Sequence, residues 1–190
     1  MSNSLIENQK FEGIDFTATP WNDAAFEHCQ FVGCNFSELK LNDKVFLECR
    51  FEHCNFSLVA FNNTALREVR FLYCKLTGAY FSHAHPFLLD LGFSHCQLNY
   101  ASFNKLKLKE TRFEKCEMEE VDFTEADLSK SVFDQCNLNR ALFYANNLEK
   151  ADFRTAYNYS FNPDENRLKQ ARFSSPAVLG LLAKYQIEID

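Results

Sequence analysis

The chain has 190 residues, with 26 acidic and 20 basic side chains for a net charge of −6, and 21 Phe and 8 Cys against 5 Gly, 4 Pro and 1 Trp. That length suits one domain with a real core, and the shortage of Gly speaks against a sandwich punctuated by tight hairpins. The negative charge disfavours non-specific binding to DNA or an anionic membrane and suits a basic partner surface.

No stretch approaches the roughly 20 apolar residues of a bilayer span, and Met1 to Lys10 lacks the basic flank and apolar run of a leader, so the sequence reads as soluble and cytoplasmic. Residues 1–10 are expected to form an N-terminal cap. From Phe11 a period of five takes over: Phe11, Phe16, Trp21, Phe26, Phe31, Phe36, and on without a miss to Phe81. After a seven-residue step the count resumes at Leu88 and runs through Phe93, Leu98 and Phe103 to Phe153, again without a miss. These 29 centres hold 18 of the 21 Phe, and neither the 3.6-residue period of a helix nor the 2-residue period of a strand generates such a series.

Two places before each centre stands a small or medium side chain, and all eight Cys occupy that position. From Cys34 the steps to Cys54, Cys74, Cys96, Cys116 and Cys136 are 20, 20, 22, 20 and 20, which is an internal repeat of four fives. The residue between is often Asp or Asn, as in Cys34-Asn35-Phe36, Val121-Asp122-Phe123 and Ala151-Asp152-Phe153. Over residues 11–153 the sequence thereby resembles the pentapeptide-repeat family, whose pattern is A-(D/N)-L-x-x. The resemblance implies an all-β fold, a right-handed quadrilateral parallel β-helix with four pentapeptides per coil.

The residues support four per coil independently. Every fourth centre gives one wall of Phe11, Phe31, Phe51, Phe71, Phe93, Phe113, Phe133 and Phe153, and the opposite wall carries Phe61, Phe81, Phe103, Phe123 and Phe143. Leu-rich walls that include Leu66, Leu88, Leu108, Leu128 and Leu148 run between them, so large and small groups interdigitate. A little over seven coils at about 4.8 Å each make a rod on the order of 35 Å long. The two extra residues around His83-Ala84-His85-Pro86-Phe87 predict an outward bulge. Beyond Phe153 the period stops, and residues 154–190 read as a turn at Asn162-Pro163-Asp164-Glu165, a short helix capped by Ser175-Pro176, and an extended tail through Ile187 and Ile189. Val178, Leu181, Leu182 and Tyr185 fall on one side of that helix and are predicted to pair with a second copy as a two-fold dimer.

Catalytic chemistry is not indicated. The cysteines are inward members of an apolar stack, one per layer, where a zinc site needs four ligands converging on a point. His28, His53, His83 and His95 sit two places after a centre and point outward. There is no nucleophile elbow or phosphate loop, and a filled rod leaves no interior pocket. Neither a cofactor nor a metal is expected.

Function is therefore expected on the outward residues. Glu48, Glu68, Asp90 and Glu110 stack one per coil as a carboxylate ladder whose rise is comparable to phosphate spacing, while Arg50, Arg70 and Arg112 stand two residues on and offer the alternative of a neutralised surface. A second acidic belt includes Glu117, Glu119, Glu120 and Asp122, and reads either as a recognition surface or as an ordinary solvated turn of the coil. Tyr73, Tyr80, Tyr100 and Phe87 face outward in the middle coils, and Pro86 and Phe87 mark a contact patch at the bulge. Within the family, the tail Asn162-Pro163-Asp164-Glu165-Asn166-Arg167 and the break near Pro86 resemble the DNA-mimic branch, the Qnr quinolone-resistance proteins and the microcin immunity protein. That resemblance implies a dimer acting on a type II topoisomerase, gyrase or topoisomerase IV, without binding nucleic acid or membrane itself. The chain lacks the long projecting loops of Qnr. The alternative is a pentapeptide-repeat scaffold for an unrelated protein partner.

Overall fold

Two side chains in every five point inward, and the backbone that allows this is a four-sided, right-handed parallel β-helix. The computed structural model describes residues 5–18 and 25–188. Trp21, counted above as a centre, Ile189 and the first four residues of the expected cap lie outside the described residues.

Eleven short strands form two of the walls: β1 (Leu5–Glu7), β2 (Lys10–Glu12), β3 (Ala25–Glu27), β4 (Gln30–Val32), β5 (Val45–Leu47), β6 (Arg50–Glu52), β7 (Ala65–Arg67), β8 (Val69–Leu72), β9 (Leu91–Ser94), β10 (Arg112–Glu114) and β11 (Val132–Asp134). One parallel sheet runs β1-β3-β5-β7 and the other β2-β4-β6-β8-β9-β10-β11. The register joins centre to centre: Phe11 to Phe31, Phe51 to Phe71, Phe93 to Phe113. The other two walls are held by single parallel bridges, such as Asn35 to Asn55 and Tyr80 to Ser102.

Along the first wall the rings stack nearly parallel, with centroids 4.7 to 5.3 Å apart, in one unbroken file from Phe11 to Phe173. Within a layer, rings from different walls meet edge to face, as Phe51 meets Phe56 on the neighbouring wall at 5.0 Å and 90° and Phe93 meets Phe103 on the opposite wall at 5.7 Å and 79°. Both geometries satisfy the ring quadrupole, so the column gains specific contacts beyond burial, where each ring contributes roughly 1.5 to 3 kcal/mol.

The alternation of walls holds from Phe71 onward. Earlier, Phe16, Phe36 and Phe56 stack on one intervening wall, and Phe26 stacks on Phe46 on the other.

The cysteines take a second role besides filling space. Cys54 Sγ donates to the Phe31 carbonyl at 3.3 Å, Cys74 to Phe51 at 3.4 Å and Cys96 to Phe71 at 3.4 Å. Thr64 and Ser131 make the same bond at equivalent positions, to the carbonyls of Leu41 and Leu108. Where such an inner position is polar, it is a small donor that reaches the coil below, whereas the column of Val59, Ala79, Ala101 and Val121 is apolar throughout.

The Asp or Asn before the centre is explained by its backbone. Asn55 Oδ1 accepts from the Ser57 amide at 3.1 Å and Asp122 Oδ1 from the Thr124 amide at 2.8 Å, while Asn55 Nδ2 donates down the wall to Asn35. The corners turn through left-handed residues two places after the centre, and few of them are Gly: Glu48 (φ 51°), Lys130 (φ 59°) and Lys150 (φ 60°) are typical. The coil above binds the amide at each corner, as Glu48 N donates to Arg67 O at 2.9 Å. That bond recovers the strain of a left-handed side chain, which is why so regular a turn survives on so little glycine.

Three expectations are corrected. Leu88 does not point inward: it is exposed at a left-handed corner (φ 56°), and Leu89 packs against the core in its place while Leu91 is buried. The count of fives cannot say where an insertion is absorbed, and here it is absorbed before Leu89. The coil also does not stop at Phe153. Arg167 and Arg172 bridge to Asn147 and Asp152, and Phe173 stacks on Phe153. The period was masked because Asn158 and Pro163 hold the expected centres while Tyr159 and Phe161 fill the interior. At the other end β1 already pairs with β3, so the ladder runs past both ends of 11–153.

The expected short C-terminal helix is present, and the last correction concerns its cap and where it lies. It is two 3-10 turns, Ala177–Leu181 and Ala183–Tyr185, and Ser175 does not cap it: Pro176 precedes the first turn with no side-chain cap, and Val178 N donates to Ser174 O. The turns lie on the end of the rod. A Cβ on Gly180 would stand 2.0 Å from the Tyr159 carbonyl, so only Gly allows that approach. Lys184 Nζ ties the segment to Asn162 at 2.7 Å and to Asp164. Leu181 is buried there and Val178 packs against the core.

Two outcomes test this core. Phe93→Asp is expected to abolish cooperative folding, because a buried unpaired carboxylate costs several kcal/mol, whereas Glu114→Ala on the outer face keeps the wild-type thermal midpoint. Equal midpoints would overturn the register.

Thiol chemistry gives the second test. Burial pushes Cys49 up from 9.0 to about 12, so all eight buried thiols should resist Ellman's reagent until the protein unfolds. The folded Cys49 keeps its proton where the unfolded chain has lost it. Its contribution is therefore complete below pH 9.0 and is lost as the pH climbs towards 12, which pH-dependent denaturation reads directly. A thiol that labels rapidly in the native protein would contradict the packing.

Candidate protein-binding surface

Because the interior is filled, the surface must be read as columns that repeat every coil. Glu48, Glu68, Asp90 and Glu110 do share one corner column. Glu48 N bonds the coil above at Arg67 O, Glu110 N bonds at Ser129 O, and Asp90 donates its amide to Leu66 O and accepts from Val69 N, both in the coil below. The column is not a bare ladder of charge. His28 Nδ1 lies 3.2 Å from Glu48, Arg70 Nη1 2.8 Å from Asp90, and Lys130 Nζ 2.7 Å from Glu110. The Lys130 hydrogen bond and charge hold the Glu110 carboxyl below its ordinary value. Among the described residues only Glu68 of the four stands outside an ion pair. Such exposed pairs add little stability, and they lower the field that a partner would meet.

Of the three arginines expected to neutralise the ladder, only Arg70 does so. It lies across Gly92, whose missing Cβ would fall 2.8 Å from Arg70 Cδ, and so reaches Asp90. Arg50 pairs with Glu52 at 3.2 Å and Arg112 with Asp134 at 2.7 Å. The cations that matter stand twenty residues beyond their carboxylates, Lys130 after Glu110 and Arg140 after Glu120, and counting in twenties along the sequence would have found both.

The acidic belt is less compensated. Glu120 pairs with Arg140 at 3.1 Å, but Glu117 and Glu119 accept only neutral amides, from Asn137 and Asn139. Asp122 is half-buried and committed to its own turn at Thr124, so it is a weaker contact residue than its charge implied.

The bulge forms the third feature. Phe87 and Leu88 are 58% and 60% exposed, and Pro86 is exposed beside them. His85 Nδ1 accepts from the Phe87 amide at 3.2 Å, and the Arg67 guanidinium lies 5.2 Å from the Phe87 ring. Leu47, Leu88 and Leu89 line a groove of about 320 Å³ that Glu68 and Asp90 complete. The bulge and the middle of the carboxylate column are thus one surface, and the exposed Leu88 is the member sequence reasoning missed. The outward histidines have a packing role nearby: His53 and His95 sandwich Tyr73 at 5.0 and 4.7 Å. Of the expected dimer residues, Val178 and Leu181 are turned onto the rod end and Leu182 is half-buried, while Tyr185 is exposed together with Leu179 and Ile187.

Among solved structures, two trypsin-treated variants of QnrB1, described as a plasmid-mediated fluoroquinolone resistance protein, match the fold. One aligns with a TM-score of 0.66 at 16% identity, covering 98% of this chain and all of the other. The second, which carries a different substitution, aligns with a TM-score of 0.66 at 21% identity, covering all of this chain and 92% of the other. At that identity the likeness is one of fold. No curated protein matches by sequence. The profile described as a pentapeptide repeat region matches residues 24–86 and 88–157, interrupted only at Phe87 in the bulge. With its register, its four-walled interior and that match in agreement, the chain belongs to the pentapeptide-repeat family.

Proposed function

We propose that this protein is a non-catalytic rod that occupies the DNA-binding surface of a type II topoisomerase, gyrase or topoisomerase IV, and so modulates or protects the enzyme. The observation that carries the reading is the corner column with one carboxylate per coil over four successive coils, continuous with the groove at the bulge. Carboxylates held on a rigid coil lose little entropy on binding and can meet Lys and Arg in the rhythm of a nucleic-acid backbone. The fold shared with QnrB1, named for fluoroquinolone resistance, supports the same direction.

A second reading, a scaffold for an unrelated protein, is favoured by one observation: three of the four column carboxylates already have a basic side chain of their own chain beside them, His28, Arg70 or Lys130.

The test is a gyrase supercoiling assay with competition by linear DNA. Wild type should inhibit supercoiling, or shield gyrase from a cleavage-stabilising drug, at micromolar concentration. Changing Glu48, Glu68, Asp90 and Glu110 together to Gln, or Glu117, Glu119 and Glu120 likewise, should weaken the effect about tenfold or more with thermal stability retained. A wild-type protein without either effect replaces this reading with the scaffold.

The proposal includes a dimer through the C-terminal segment, which would give a doubled rod matching roughly 20 base pairs. Leu179, Tyr185 and Ile187 are the apolar groups free to make it. Light scattering at tens of micromolar should report a dimer, and Leu179→Ser with Tyr185→Ser should report a monomer without loss of fold. A monomeric wild type overturns the doubled rod.

A further inference from the structure

One surface remains outside these assignments: the corner and wall that carry Leu58, Tyr80 and Tyr100, which are 53%, 48% and 54% exposed. The three belong together through the backbone. Leu58 N donates to Thr77 O at 2.9 Å, Gly78 N to Asn99 O at 2.8 Å, and Tyr100 N to Glu119 O at 2.8 Å, so Leu58, Gly78 and Tyr100 are successive rungs of one corner. Tyr80 stands on the adjoining wall, bridged to Ala60 below and Ser102 above. Gly78 is the device that joins them. It is buried although it sits at a corner, because the Leu58 side chain lies over it: Leu58 Cδ2 is 2.8 Å from where a Cβ would be. A side chain at position 78 would separate Leu58 from Tyr100. Its absence leaves a flat apolar surface between the two tyrosines.

The surroundings of this patch differ at its two ends. Towards the C-terminus the same corner continues with Glu120 and the same wall with Asp122, Glu119 stands immediately before Glu120, and Arg140 is the cation paired there. Towards the N-terminus the corner carries Glu38 and the wall Lys40, which offset one another. The patch is therefore apolar in the middle, negative at one end and close to neutral at the other.

We infer that this patch docks a peptide segment of a partner protein that presents one or two aromatic or aliphatic anchors followed by Lys or Arg, with the basic end over Glu119 and Glu120. Tyrosines on a rigid coil supply contact area at low entropic cost, and the carboxylates fix direction. A second copy of this chain fits poorly, because a two-fold arrangement sets Glu38 beside Lys40, and no cationic cluster, against the carboxylate end. The inference does not depend on the topoisomerase reading, since its experiment contains no topoisomerase.

The probe is a random dodecamer library displayed on phage and selected against the full chain. Enriched peptides should carry aromatic or aliphatic residues beside a run of Lys or Arg. Synthetic copies should bind the Tyr80→Ser, Tyr100→Ser double variant at least about tenfold more weakly. Glu119→Gln with Glu120→Gln should reduce binding and abolish its salt dependence. Both variants alter exposed or half-buried side chains, and an unchanged thermal midpoint confirms the fold. Selected peptides without a basic run, no enrichment at all, or equal binding to the tyrosine variant would each overturn the proposal. So would a fall in the mass of the protein in solution caused by the tyrosine changes, which would make the patch a contact between copies.

Discussion

The spacing of parallel strands and the stacking distance of aromatic rings are nearly the same length, and this coincidence underlies the whole structure. Neighbouring strands lie about 4.7 to 4.9 Å apart. The rings of the first wall stack at 4.7 to 5.3 Å. A Phe at the same place in each coil therefore meets its neighbours at contact distance without any adjustment of the backbone, and the backbone ladder and the ring column reinforce one another. The four-sided section follows, because each layer must close around its inward side chains, with rings from opposite walls meeting edge to face across the interior. Where the count of fives is interrupted, at Leu88, Leu89 packs against the core instead and the surplus chain is pushed outward as the bulge.

The same constraint decides which polar groups are allowed inside. Most inward positions two residues before a centre hold a small or medium group, and a polar one there must reach the carbonyl of the coil below. Cys, Thr and Ser satisfy both conditions, and Asn146 does so through its amide to Phe123 O. The cysteine repeat is thus a packing and hydrogen-bonding repeat, and burial pushes the Cys49 thiol up.

Most of the fold was legible because a period of five has no competitor among regular structures, and twenty residues per coil could be read twice, from Cys34 to Cys136 and from the Phe walls. What stayed hidden was local. The count of fives placed Leu88 inside because it measures spacing and not the path of an insertion. It ended at Phe153 because Asn158 and Pro163 stand where rings were expected, although Phe173 restores the file one coil later. The C-terminal stripe was legible as apolar but its destination was not: Val178 and Leu181 cover the rod end, a contact that only the position of Tyr159 and Phe161 could reveal. The surface was the least legible part. The carboxylate column could be counted, but its pairing with Arg70 depends on the absent side chain of Gly92, a detail of rotamer and reach.

A rod of this kind cannot enclose a ligand, so whatever it recognises must be read from columns whose vertical spacing is fixed and whose content is free. Each column is an address of one residue per coil. Glu48 to Glu110 gives a run of carboxylates, Lys130 and Lys150 reverse its sign, and Leu58, Gly78 and Tyr100 make another column apolar before Glu120 makes it negative. Substitutions within a corner column leave the interior untouched, because the outward side chain there is not part of the packed core. The fold therefore separates stability from recognition more completely than a globular core does, where surface and interior share the same elements. It follows that two members of the family can keep the same ring columns and the same coil while presenting unrelated surfaces. Recognition by such a protein has to be argued from its own outward columns, coil by coil.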